Sequence, residues 1–186
     1  GYNADGKRIS KAVNGTTYNY AYLGDTLTDL SWGSNRMHFT YDSLGPASVT
    51  HNGVKYFYLK NAQGDVTGLV NASGTQVVSY TYDPWGAPMS VSGTMAATLG
   101  AANPLRYRGY VYDTETGLYY LSSQYYNPVW GRFINADSLI VDCGANTQNL
   151  LIRLNLSYRV LKKRFVLLYH LHTYTRRGGH VYYIFP

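Results

Sequence analysis

The chain is 186 residues long, 16% aromatic with 21 tyrosines, and only 14% charged, where soluble domains usually carry about 25%. Its single cysteine, Cys143, excludes an internal disulfide framework and any multi-cysteine metal site. The net charge of +6 lies wholly in the last part: residues 1–137 hold nine Lys/Arg against nine Asp/Glu, and residues 138–186 hold seven against one, Asp142, so charge argues against nucleic-acid binding by the neutral body.

No apolar run approaches the roughly 18 residues of a membrane span, and no signal peptide is visible. The chain opens at Gly1 in mid-pattern and without Met, and reads as a fragment of a longer protein. Tyr, Gly, Thr, Val and Asn dominate, which predicts strands and turns over helices.

From the first residues a short phrase recurs: an aromatic or apolar residue, Asn or Asp, two or three residues, then Gly. It reads Tyr2-Asn3-Ala4-Asp5-Gly6, Tyr41-Asp42-Ser43-Leu44-Gly45, Val70-Asn71-Ala72-Ser73-Gly74 and Tyr82-Asp83-Pro84-Trp85-Gly86. Stretched by one residue it returns as Tyr112-Asp113-Thr114-Glu115-Thr116-Gly117 and Tyr126-Asn127-Pro128-Val129-Trp130-Gly131, and looser copies end at Gly24 and Gly64. Asn or Asp turns the chain by bonding the backbone two residues on, and Gly accepts the positive φ of a tight reversal. Asn14-Gly15 and Asn52-Gly53 are plain hairpin signals. Between the turns Tyr18, Tyr20 and Tyr22 alternate, as do Phe39 with Tyr41, Tyr56 with Tyr58, Tyr80 with Tyr82, and Tyr110 with Tyr112. A period of two puts each set on one face of a sheet, where a cross-strand aromatic pair contributes roughly 0.2–1 kcal/mol. Residues 1–86 therefore predict antiparallel hairpins with a tyrosine-lined face. Residues 87–103 are small and unpatterned, and predict an exposed excursion from the sheet.

Residues 105–137 hold seven tyrosines, Trp130 and Phe133, punctuated by Gly109, Gly117 and Gly131. The order Arg106-Tyr107-Arg108-Gly109, Asp113, Thr116-Gly117-Leu118-Tyr119-Tyr120, Tyr125-Tyr126 and Gly131-Arg132-Phe133 resembles the core region that ends RHS (YD-repeat) proteins. Residues 1–86 are similar to the repeats that precede it. The resemblance implies a β-sheet ribbon that winds into a hollow shell around a C-terminal toxin. Its partners would be the remainder of the same shell and that toxin, with secretion or cell-surface display and no cofactor. In many members the core also cuts the chain just beyond itself by aspartyl-protease-like chemistry. That needs two carboxylates sharing a proton and a basic residue to tune them. Asp137 stands at the first aspartate, but the family's arginine falls on Gln124, and the second Asp-Pro-x-Gly is absent. Asp142 is the only later acid. The expectation is a remnant site without self-cleavage, and a chain that is not an enzyme.

Residues 138–186 lose the phrase. Leucines mix with Arg153, Arg159, Lys162, Lys163 and Arg164 without a clean apolar face. The tail reads as a non-family, partly helical or irregular appendage, either out of frame or a toxin remnant. A weaker reading lays its basic residues on an anionic membrane. His170, His172 and His180 lack a nearby carboxylate or cysteine in sequence, so no metal site is expected. Arg106, Arg108 and Arg132 sit among aromatics and predict cation–π packing. The expected organisation is all-β: hairpins over 1–86, the excursion over 87–103, the core over 104–137 and the tail over 138–186. The expected role is structural. Two alternatives stand beside it: a carbohydrate-binding module that meets cell-surface glycans through Tyr18, Tyr20 and Tyr22, and an autoproteolytic domain resting on Asp137.

Overall fold

The computed structural model describes residues 1–122 and 124–135. Nine antiparallel strands follow one another as a meander: β1 (Ser10–Val13), β2 (Thr16–Leu23), β3 (Thr26–Trp32), β4 (Asn35–Asp42), β5 (Gly45–His51), β6 (Val54–Lys60), β7 (Val66–Val70), β8 (Gln76–Tyr82) and β9 (Pro88–Ser92). A second, four-stranded sheet holds β10 (Val111–Asp113), β11 (Leu118–Leu121), β12 (Gln124–Asn127) and β13 (Arg132–Phe133). Asp137, Asp142, Cys143 and the histidines of the tail lie outside the described residues.

Local chemistry accounts for the turns. At Asn14-Gly15 and Asn52-Gly53 all four residues have positive φ, and each loop is two residues long. This is the geometry whose twist suits a hairpin. The recurring phrase closes another way. The Oδ1 of Asn71 accepts the backbone N–H of Ser73 (3.0 Å) and of Thr75 (2.9 Å). Asn3, Asn61 and Asp83 each do the same to residues two and four ahead. The copy ending at Gly64, loose in sequence, is thus a full member. Asp42 differs: its carboxylate takes one backbone N–H, that of Leu44, together with the Lys60 ammonium, and Asp42 pairs directly with Gly45 across a two-residue loop.

The predicted alternation sorts the faces. Tyr20, Phe39, Tyr56, Tyr58 and Tyr80 are buried, while Asn19, His38, Phe57 and Thr81 between them are exposed. Register shifts fall beside phrase turns, at Ala21/Tyr22, Thr40/Tyr41, Leu59/Lys60, Leu69/Val70 and Thr81/Tyr82. Bulges bend the strand they occupy and increase its twist, so the phrase turns curl the sheet beside the hairpins they close. Residues 87–103 join this sheet instead of leaving it. Pro88–Ser92 pairs with β8, and a single π-helical turn, Ala96–Gly100, seats Leu99 fully inside the core. Their small size is what lets this turn lie close: a Cβ on Gly100 would come within 3.1 Å of Val78 and Val91 side chains.

One core results. Leu30, Met37, Phe39, Val49, Leu69 and Val78 from the sheet meet Leu99, Leu105, Val111 and Tyr120 from the segment that follows it. Through Val111 and Tyr120 the smaller sheet packs on the buried, tyrosine-bearing face of the larger.

Candidate functional site

The site is the contact between the aromatic motif and the two ends of the curled sheet. In β11 and β12 the two Tyr-Tyr pairs lie side by side, Tyr119 opposite Tyr126 and Tyr120 opposite Tyr125. Alternation along each strand sends the members of a pair to opposite faces. On one face Tyr119 donates its hydroxyl to the carbonyl of Gly86 (2.8 Å), and Tyr126 donates to that of Trp85 (2.8 Å). Tyr107 donates to Pro84 (3.1 Å). Three consecutive carbonyls of one turn are thereby each met by a tyrosine of the motif. The rings also touch, with Tyr82–Tyr107, Tyr107–Tyr119 and Tyr119–Tyr126 centroids at 5.9, 6.1 and 6.4 Å. Phe133 stands edge-on to Tyr126 at 5.6 Å. Gly86 must be glycine here: its φ is +93°, and a Cβ would fall 2.4 Å from the Tyr107 ring.

On the other face the targets belong to the first turn of the chain. The backbone N–H of Arg8 donates to the Tyr120 hydroxyl (2.8 Å), which in turn donates to the Ser122 carbonyl (2.6 Å). The hydroxyls of Tyr125 and Tyr2 are 2.8 Å apart.

Beside these bonds lies an ion cluster. The Arg8 guanidinium forms a fork with Asp113, and Lys11 bonds both Asp113 (2.7 Å) and Glu115 (2.6 Å). Arg8 is 4% exposed and Asp113 is 2% exposed. The Arg8 fork lies between the rings of Tyr20 and Tyr120, 4.7 and 4.5 Å from their centroids. Burial alone would lower the pKa of Arg8 and of Lys11, but their bonds to Asp113 outweigh it and hold both groups more firmly charged than usual.

Asp113 is free to do this because its carboxylate takes no part in closing its own turn. Thr116 and Gly117 close that turn with their N–H groups on the Asp113 carbonyl (3.2 and 2.8 Å), so the carboxylate is not spent on it.

Two of the motif arginines, Arg106 and Arg108, are held inward. Arg106, 4% exposed, donates to the carbonyls of Asn103 (2.9 Å) and Gly100 (2.6 Å) and lies 4.1 Å over Tyr80. Arg108 has left-handed backbone, φ 56°, held by a bond from its N–H to Asp65 (3.0 Å); its side chain reaches the Gln63 carbonyl and lies over Tyr107. Arg132 lies over Trp130 at 5.4 Å, on the exposed rim. Cation–π contact is thus made by all three. Gly109, Leu118 and Gly131 complete the motif's turns and hairpin, and Gln124 sits in β12 opposite Leu121. Among the described residues no group of three or more His, Cys, Asp or Glu could hold a metal ion.

The tyrosines singled out for glycans are largely committed to packing. Tyr20 is buried beneath Arg8, and Tyr18 stacks on Trp32 at 5.7 Å with the planes 25° apart. Sequence reasoning missed Arg8, Lys11, Tyr2 and Asp65.

Residues 33–166 match the Teneurin YD-shell family, which is well over half of the chain. The chain belongs to that family. Among curated proteins this YD-shell chain is 44% identical over 141 residues to the tRNA3(Ser)-specific nuclease WapA of Bacillus spizizenii, covering 73% of this chain and 6% of that protein. It is 43% identical over 141 residues to the tRNA(Glu)-specific nuclease WapA of Bacillus subtilis subsp. natto, with the same coverage. The fold is that of a solved structure of TcdB2-TccC3 without its hypervariable C-terminal region, at a TM-score of 0.57 and 19% identity, over 74% of this chain and 7% of that one. This chain therefore spans only a small part of the relatives it matches. The YD-shell match runs on to residue 166, past the end of the motif-bearing stretch.

Proposed function

We propose that this YD-shell chain is a wall segment of a hollow shell that encloses a toxin carried at the C-terminal end of the same polypeptide. One observation carries the reading. Two relatives match the same length of this chain almost equally well, at 44% and 43% identity, yet are named for different tRNAs. The matched stretch is common to them while the target differs, as expected of a container and not of its contents. A curled sheet with a tyrosine-bearing buried face is the form such a wall needs. The chain acts structurally, within a protein that is secreted or displayed at the cell surface. Its partners are the rest of the shell and the toxin.

The test uses the full-length parent protein. Its C-terminal region should resist limited proteolysis while the shell is intact, and be digested once Phe39→Asp opens the wall. Equal digestion of that region in both proteins would sink the reading. Self-cleavage at Asp137 is not part of the proposal: the purified chain should run as one band, unchanged in Asp137→Asn.

A further inference from the structure

The curled sheet has a curvature, and something must set its value. Laid flat, β1 and β8 are seven strand steps apart, about 34 Å at the usual spacing. In the fold, Arg8 stands two residues before β1 and bonds Tyr120, while Gly86 stands in the turn between β8 and β9 and bonds Tyr119. Tyr119 and Tyr120 are neighbours in sequence. Two tyrosine side chains, one Cα–Cα step and two hydrogen bonds reach roughly 22 Å at most. The Arg8 nitrogen and the Gly86 oxygen, on turns that flank β1 and β8, are therefore held within roughly 22 Å of each other, and the link between them is one dipeptide. A second dipeptide, Tyr125-Tyr126, makes the same link beside it, to Tyr2 and Trp85.

We infer that the two Tyr-Tyr pairs are a gauge that fixes the curvature of the wall: Tyr119 and Tyr126 hold the turn at Asp83, Tyr120 and Tyr125 hold the turn at Asn3, and their span sets the radius. The bulges beside the phrase turns let the sheet bend; the tyrosine hydroxyls determine how far. The work is done by the hydroxyl groups and not only by the rings. Ring packing is tolerant of sliding, whereas each hydroxyl bonds one defined backbone or phenol partner. Tyr119 and Tyr120 are buried and carry more of the load than Tyr125 and Tyr126, which are half-buried. The inference gives a mechanical purpose to residues of the proposed shell wall, and rests on that reading only for the purpose; the geometry stands in this chain alone.

The test is a distance measurement on the full chain, so that its failure is separable from failure of the shell reading, since it needs neither toxin nor parent protein. With Cys143→Ser removing the native thiol, spin labels are placed at Asn19→Cys and Thr81→Cys, both exposed. Electron–electron resonance then reads the span from β2 to β8. In Tyr119→Phe/Tyr120→Phe the span should lengthen and its distribution broaden, with circular dichroism unchanged because the rings remain. Tyr125→Phe/Tyr126→Phe should do the same by less, and serves as the second variant if the first does not fold. Exchange of the Arg8 amide should rise about tenfold or more in Tyr120→Phe. An unchanged span in both folded double variants would overturn the inference, even with faster Arg8 exchange, because the bonds would then exist without setting the curvature.

Discussion

The turn at Asn71 and the turn at Asp113 are written in nearly the same phrase and do opposite things. At Asn71 the side-chain oxygen is consumed by N–H groups two and four residues ahead. At Asp113 one more residue separates the acid from its glycine, the backbone carbonyl closes the turn, and the carboxylate reaches Arg8, 105 residues away. The inserted residue alone does not do this, since Asn127, in the other stretched copy, spends its Oδ1 on the N–H groups of Val129 and Trp130; what frees Asp113 is closure of its turn by the backbone. The repeat turns make hairpins; the turn at Asp113 ties the last sheet to the first hairpin.

The comparison breaks most sharply at Asp113. Asp113→Ala leaves the Arg8 charge buried without its partner, and should cost about 3–5 kcal/mol in urea unfolding. Asp113→Asn should recover little, because an amide does not neutralise a buried guanidinium. At the ordinary turn the same exchange is harmless: Asn71→Asp should be nearly neutral, since Asp83 makes the identical turn with a carboxylate. Comparable losses for Asn71→Asp and Asp113→Asn would erase the distinction.

Next in size is Tyr119→Phe, which strands a buried carbonyl at Gly86 and should cost about 1–3 kcal/mol. Asn71→Ala, removing two exposed turn bonds, should cost about 1 kcal/mol. The smallest effect at neutral pH, and the one that grows with alkali, is titration. Burial raises the phenol pKa of Tyr58, Tyr80, Tyr82, Tyr119, Tyr120 and Tyr126 above the ordinary value near 10. Below about pH 10 these phenols are neutral in both folded and unfolded chain, and their contribution is intact. As pH rises past 10 only the unfolded chain loses the protons, so stability falls toward the raised folded values. Urea midpoints should therefore drop above pH 10, and drop less steeply in Tyr119→Phe. A midpoint independent of pH up to 11 would contradict the burial of these hydroxyls.

Much of this was legible in residue order. Alternation at Tyr18, Tyr20 and Tyr22, or at Tyr56 and Tyr58, is a property of the strand's own period, so the inward face could be read without neighbours. Asn14-Gly15 and Asn52-Gly53 announced their hairpins because positive φ at both loop positions selects those residues. Local rules also placed the phrase turns, since their bonds span only four residues. The small residues of 87–103 misled, because what seats Leu99 is the space left above Val78, and that space exists only once β8 and β9 have paired.

The amino-acid sequence by itself determined an all-β chain of hairpins, the direction its tyrosines face, and a motif that belongs to a shell-forming family. Only the tertiary structure decided what the motif touches: which carboxylate is free, which arginine it finds, and which backbone and phenol groups the four paired hydroxyls meet. The physical reason is the range of the interaction. A turn or an alternating strand is closed by atoms a few residues apart and leaves a pattern in the chain. A hydroxyl on a backbone carbonyl 33 residues distant, such as Tyr119 on Gly86, asks for no particular side chain at its target and leaves none.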